Sequence, residues 1–231
     1  NGNAPRVVVE ESERLGCGII HFCSSQVFDG GGELPWTEAS KTMPINQIGR
    51  TKLVGTEAVL ASTAPHLVLR SSWLYSPRNR NFVTECIDQL GYRNYITLAS
   101  DHTGTPTPTR WLAQVVHSLL SRAAVVDWKE WMMQSAGLYH VAPLGFASRV
   151  VVGDQLLATC RSLGMPVVAS EVRARPLREV YPGLPVPANQ RLGSGKFAMR
   201  FSLELPRWQQ LLNHDLALHL GQDLQAYTHV A

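Results

Sequence analysis

The 231-residue sequence predicts an α/β protein built on a mainly parallel sheet. Three observations predict it. The runs GIIHFCSS, LVLRSS and GLYHVA are short, apolar and continuous, the composition of strands buried on both faces. Segments of helical length separate them, and that alternation is the pattern of parallel strands joined by crossover helices. Between these segments lie stretches rich in Gly, Pro, Asp and Thr, which end one element before the next begins.

The elements follow in order. Residues 4–15 predict a helix that stops near Gly16, and residues 18–24 a strand that runs into the turn-rich DGGGELP. Residues 46–63 predict a second helix, with Leu53, Ala58, Val59 and Leu60 as its apolar positions before Pro65. A strand at 67–72, a helix at 80–90 and a strand in YITLAS come next, and DHTGTPTPT reads as a loop. Residues 109–122 predict a helix, and the Trp- and Met-rich stretch beyond it has no clear period. After the strand at 137–142, Ser148 is placed to cap a helix reaching about Leu163, with Gly164 as its stop. PVVAS reads as a strand, RPLREVYPGLPVPANQRL as an extended loop, and a final helix begins around Pro206.

Composition excludes several classes of function. Apolar residues make up 45% and charged residues 17%, and no run approaches the roughly 18 apolar residues of a membrane span. The net charge of +3 comes from scattered basic residues, densest at Arg173, Arg175 and Arg178, which argues against nucleic acid and leaves a small anionic ligand open. Cys17, Cys23, Cys86 and Cys160 have neither CxxC nor disulfide-framework spacing, as expected of reduced, mostly buried thiols in a cytoplasmic protein. No HExxH is present, and His214 and His219 fall on different helix faces, so no metal site is predicted. The chain opens without an initiator methionine or a signal-peptide pattern, as a fragment or shortened gene product would.

Three segments combine into one chemistry. HFCSSQVFDG puts Ser24 at the end of a strand, INQIGRTKLVG puts Lys52 on the next helix, and LRSSWLYSP puts Trp73 and Tyr75 past the following strand. Hydride addition to a carbonyl leaves an alkoxide that needs a proton, and a phenol tuned by a nearby ammonium can supply it. A hydroxyl such as that of Ser24 can hold the carbonyl oxygen. Phenol and ammonium four residues apart share one helix face, yet the residue four before Lys52 is Ile48. Taken singly, Ser24 could simply close a strand, Lys52 could be a solvated charge and Trp73 could be core.

In order and spacing, HFCSSQVFDG, INQIGRTKLVG, LRSSWLY, DHTGTPT and VPANQRL resemble the motifs of the dTDP-4-dehydrorhamnose reductase family of extended short-chain dehydrogenases/reductases. The resemblance covers almost the whole chain. It implies the remaining part of a doubly wound, Rossmann-like nucleotide-binding domain over 1–142, with 76–108 leading into a smaller α/β substrate-binding lobe that occupies mainly 143–231. It implies NADPH or NADH as cofactor and a dTDP-linked nucleotide sugar as ligand, with a homodimer as the candidate assembly. Ser24 takes the catalytic hydroxyl position, Lys52 the position that binds the nicotinamide ribose, and Ile48 the position of the proton-donating tyrosine. Asn1 and Ser72 match cofactor-side positions. Trp73, Gln26, Asn189 and Arg191 match substrate-side positions.

The departures are specific. Ile48 replaces the tyrosine, Ser25 and Gln26 replace the acidic and aromatic residues after the catalytic hydroxyl, and Val186 stands where an arginine often precedes PxN. The family's glycine-rich phosphate loop would lie upstream of Asn1. Two functions follow: an impaired reductase of a 4-keto nucleotide sugar in deoxysugar synthesis, or a catalytically silent binding or regulatory subunit. The regulatory subunit of methionine adenosyltransferase is a precedent for the second.

Overall fold

Alternate residues of one strand divide the protein into two faces. In the computed structural model, which describes residues 1–219, the chain runs through helix α1 (Asn3–Leu15), strand β1 (Ile19–Ser24), α2 (Gln47–Leu60) and β2 (His66–Ser71). Leu67 and Leu69 of β2 point into one apolar cluster, while Val68 between them points into another. A strand covered on both faces reads as a continuous apolar run, which is why this element was legible. β1 and β2 pair in parallel from Ile19↔His66 to Ser24↔Ser71. Such a pair needs a crossover, and α2 supplies it, packed on both strands.

β3 (Leu74–Tyr75), α3 (Phe82–Tyr92), β4 (Tyr95–Ala99), β5 (Thr103–Gly104) and β6 (Thr107–Pro108) follow, then α4 (Thr109–Ala124) and α5 (Trp128–Ser135). β7 (Gly137–His140) then joins the other edge of β2 in parallel, giving the order β1-β2-β7. The three apolar runs thus lie side by side in one parallel sheet. Trp111, Leu112, Val115 and Leu119 of α4, with Met132 of α5, cover the Leu67/Leu69 face. Val9 of α1 and Val59 of α2 cover the Val68 face. Helices on both faces make the sheet doubly wound.

The chain ends its described part with β8 (Ala147–Ser148), α6 (Arg149–Ser162), β9 (Glu171–Arg175), α7 (Leu177–Val180), α8 (Gly195–Phe201) and α9 (Trp208–His219). A second core joins Val83, Cys86 and Leu90 of α3 to Ile96 and Leu98 of β4, Val152 and Leu156 of α6, and Trp208 and Leu212 of α9. Residues 76–108 contribute α3 and β4 to this second core. α8 crosses back, placing Phe197 and Phe201 in the first core.

The structure corrects several local expectations. PVVAS is not a strand: Val168 and Ala169 both donate to the Leu90 carbonyl and Ser170 donates to that of Asn94, so this segment closes the end of α3. The strand is the next segment, Glu171–Arg175, which pairs in parallel with β4 from Tyr95↔Glu171 to Ala99↔Arg175. Its EVRAR sequence is mostly exposed, so it carries no apolar run to betray it. The Trp- and Met-rich stretch folds as α5, capped by Asp127, whose carboxylate accepts from Lys129 and Glu130. The extended loop after Arg175 contains the single turn α7, and α8 forms where no helix was expected. Among the described residues, no helix is long and apolar enough to cross a membrane, and the four cysteines are free, with Cys23, Cys86 and Cys160 buried.

Candidate functional site

Ser24 ends β1, and the chain turns at once into a 3₁₀ turn over Ser25–Val27. The Ser24 hydroxyl caps that turn, accepting from the Gln26 N–H at 3.3 Å, which leaves its own proton available to a ligand. Asn46 caps α2: its Oδ1 accepts from Gly49 at 2.8 Å. Its Nδ2 donates to Gln26 Oε1 at 3.0 Å and to the Pro185 carbonyl at 3.1 Å, so one side chain ties α2, the 3₁₀ turn and the late loop together. A Cβ on Gly49 would collide with the Gln26 carbonyl and lie 2.8 Å from Pro44 Cβ; glycine is what lets α2 approach this closely.

From that cap, Ile48 and Lys52 fall on one face of α2. Ile48 is 55% exposed. Lys52 Nζ donates to the Phe22 carbonyl at 3.3 Å, which holds the ammonium over β1 close to Ser24. The neighbouring His21 is held below the usual histidine range by burial and by that ammonium.

Trp73 leaves β2 with φ of 42°, in the left-handed region, a conformation that costs a bulky residue on the order of 1–2 kcal/mol. Tertiary contacts hold it there. Thr107 N–H donates to its carbonyl at 3.1 Å, and its indole lies on Gly104, where a Cβ would come within 2.8 Å of Cδ2. The glycine of DHTGTPT is therefore the floor under this indole.

The opposite wall comes from the late loop. Gln190 Oε1 accepts from the buried Ser25 hydroxyl at 2.9 Å, and its Nε2 donates to Pro187 O at 3.2 Å and to His102 Nε2 at 2.9 Å. Its backbone carbonyl accepts from Ser72 Oγ at 2.8 Å. Burial, and next the charge of Arg149, push His102 down to about 3, so at neutral pH it is an uncharged imidazole. Together these walls enclose a cleft of about 670 Å³ at the carboxyl ends of β1 and β2.

The cleft brings together Ser24, Gln26, Ile48, Lys52 and Trp73. The other proposed positions lie off its wall. Ser72 is buried and committed to Gln190. Asn189 is spent inside the loop: its amide donates to the carbonyls of Gly31, Gly32 and Leu34 at 3.2, 3.2 and 2.9 Å. Its Oδ1 accepts from the backbone N–H and Nε of Arg191, which ties the base of that guanidinium to the loop. Asn1 is exposed, its backbone packed against Gly55 of α2. Arg173 pairs with Glu171 and stacks on Tyr95, and Arg175 faces Glu179, so this basic group is an outer rim. Asn46, His102, Arg149, Tyr181 and Gln190 line the cleft without having been singled out. His102 lies in DHTGTPT, and Gln190 lies in VPANQRL between Asn189 and Arg191. Arg149 offered no sign beyond following the cap Ser148.

Chemically, the site presents a hydroxyl and an ammonium on the β1/α2 side, with an apolar side chain where a proton donor would complete the set. The model of the RmlD substrate binding domain family matches residues 1–219. The dTDP-4-dehydrorhamnose reductase of Escherichia coli K12 is 29% identical over 210 residues, covering 90% of this chain and 68% of that protein. That of Burkholderia thailandensis is also 29% identical, over 214 residues, covering 90% and 70%. Among solved structures, a Clostridium acetobutylicum dTDP-4-dehydrorhamnose reductase superposes with a TM-score of 0.81 at 24% identity, over 95% of this chain and 72% of that one. The Bacillus anthracis enzyme in complex with NADP superposes with a TM-score of 0.80 at 22% identity, over 94% and 72%. A family match over residues 1–219, with reductases similar over nine-tenths of the chain, makes this chain a member of the RmlD substrate binding domain family, alongside the dTDP-4-dehydrorhamnose reductases.

Proposed function

We propose that this chain binds a dTDP-linked nucleotide sugar and NADPH in the cleft between its two cores and reduces a 4-keto group slowly. The observation that carries the reading is the convergence of Ser24, Lys52 and Trp73 on one cleft wall, with Ile48 exposed among them. The residues fit the nicotinamide end of the cofactor. Among the described residues Lys52 holds one long side-chain hydrogen bond, at 3.3 Å, so its ammonium has donors to spare for a ribose hydroxyl. NADPH, or NADH in its place, supplies the hydride. Ser24 Oγ is positioned to donate to the substrate carbonyl oxygen, because its bond to Gln26 uses only a lone pair. Asn46 and Gln190 fix the two walls, Asn46 tying α2 to the late loop and Gln190 tying that loop to His102.

What is missing is a proton held at that oxygen. Ile48 has none, and losing a general acid costs about 10²–10⁴ in rate. In this reading residues 1–142 carry the nucleotide-binding part and 143–231 mainly the substrate lobe, in the cytoplasm. The exposed Ile48 also favours a second reading, a silent nucleotide-sugar-binding or regulatory subunit.

The experiment is turnover of dTDP-4-dehydrorhamnose with NADPH by the parent chain and by Ile48→Tyr, with binding of dTDP and NADPH measured for both. The expected result is dTDP binding by both, and weak NADPH binding by both because the sequence has no GxGxxG or GxxGxxG turn to hold the pyrophosphate at a helix N-terminus. Turnover should gain about 10²–10⁴ in Ile48→Tyr. Adding Lys52→Ala should remove most of the gain, because the phenol loses its neighbouring positive charge. Ligand binding with an inert Ile48→Tyr would support the silent subunit, and absence of dTDP binding would overturn both readings.

A further inference from the structure

Arg149 opens α6 just after its cap, Ser148, and its guanidinium lies between two aromatic rings. The central carbon is 3.6 Å from the Trp73 ring centroid and 3.8 Å from that of Phe82. No carboxylate among the described residues comes within ion-pair reach of it. Its Nε is buried without a hydrogen-bond partner, and it lines the cleft. Burial lowers its pKa to about 10, so it remains charged at neutral pH. Charges taken out of water are ordinarily paired or ligated, because leaving them alone costs several kcal/mol. Within the described protein, this one has no counter-ion.

Two more N–H donors stand beside it. Trp73 Nε1 and His102 Nδ1 are both buried and unpartnered. Gln190 donates to His102 Nε2, so the network assigns the imidazole hydrogen to Nδ1. The group is one unit. The Trp73 and His102 rings are edge to face at 5.0 Å, and the Arg149 backbone N–H donates to the His102 carbonyl at 3.0 Å. Their side chains offer donors and positive charge and no acceptor, and that chemistry suits an oxyanion.

We propose that Arg149, supported by His102 and Trp73, forms an anion-receiving corner of the cleft that takes an oxyanion of the bound ligand, a phosphate or a carboxylate. The ligand's identity as a nucleotide sugar rests on the function proposed above; the corner itself rests on the unpaired donors. It makes Arg149 a specificity-determining residue, absent from the positions that the family motifs mark out.

The test is calorimetric titration of the full chain and of Arg149→Met with inorganic pyrophosphate, dTDP, dTDP-glucose and dTDP-glucuronate, with thermal melts of both proteins. Methionine keeps a stem between the two rings and removes the charge. Loss of charge-assisted hydrogen bonds should weaken binding by about 10–100-fold. If the diphosphate is held, pyrophosphate, dTDP and dTDP-glucose weaken alike; if a sugar carboxylate is held, only dTDP-glucuronate weakens. Arg149→Lys should recover part of the loss. The ligand-free Arg149→Met protein should melt at or above the parent, since an unpaired buried charge is gone. A markedly lower melting temperature with unchanged affinities would make Arg149 a structural stack and overturn the proposal. Parent protein that binds none of the four would overturn it too. Pyrophosphate binding through Arg149 without dTDP binding would keep the corner and reject the nucleotide reading. dTDP binding with equal affinities of both proteins for all four ligands would do the reverse.

Discussion

Gly49→Ala should destabilise the protein although alanine is the better helix former. Gly49 lies in the first turn of α2, where glycine-to-alanine substitution would ordinarily gain about 1 kcal/mol. A Cβ there would overlap the backbone carbonyl of Gln26 and sit 2.8 Å from Pro44 Cβ. Neither neighbour can rotate away: one is backbone in the capped 3₁₀ turn, the other a proline ring. Overpacking costs about 1–3 kcal/mol, and with rigid partners the upper end applies, so the net loss is about 2 kcal/mol. For a chain of this size that lowers the melting temperature by about 4–8 °C. The relief available is for α2 to back away, which carries Ile48 and Lys52 from Ser24. In the Ile48→Tyr background, Gly49→Ala should therefore also cut the regained turnover. Thermal melts followed by circular dichroism, with turnover assays beside them, test both parts. A Gly49→Ala protein melting at or above its parent would refute the close-approach argument.

Three further outcomes are expected. His102 and His140 are both pushed down to about 3, chiefly by burial, whereas unfolded histidine titrates near 6.5. Their stabilisation is present above about pH 6.5 and is lost as pH falls toward 3, with a slope near pH 5 of about 2.7 kcal/mol per pH unit for the pair. Urea unfolding at several pH values measures it, and His102→Gln should remove about half the slope; an unchanged slope would mean His102 is not buried neutral. Asn189→Ala strands the carbonyls of the 31–34 loop and should cost about 1–3 kcal/mol in unfolding experiments. Because Asn189 lies off the cleft wall, dTDP affinity should change less than it does in Arg149→Met. Ser24→Ala in the Ile48→Tyr background should lower kcat by about 10²–10³ with little change in KM, the signature of a donor used in the transition state.

The parallel sheet and the two faces of its central strand could be read from the chain itself, because burial on both sides of a strand leaves a local record. Leu67, Val68 and Leu69 are apolar in succession for that reason. The sharing of one helix face by Ile48 and Lys52 was legible too, since helical period alone decides it. Residues 171–175 left no such record: EVRAR is a polar edge strand, and what makes it a strand is β4 lying alongside. The same holds for polar side chains. Asn189 and Gln190 are neighbours in one motif. Folding turns the first inward as a latch for the 31–34 loop and sets the second between Ser25 and His102 on the cleft wall. Arg149 gains its meaning only when Trp73 and Phe82, far off in sequence, close around it and no carboxylate comes with them. Local periodicity reports which face of an element is buried; what a buried polar group meets depends on residues distant in the chain, and only tertiary contacts decide that.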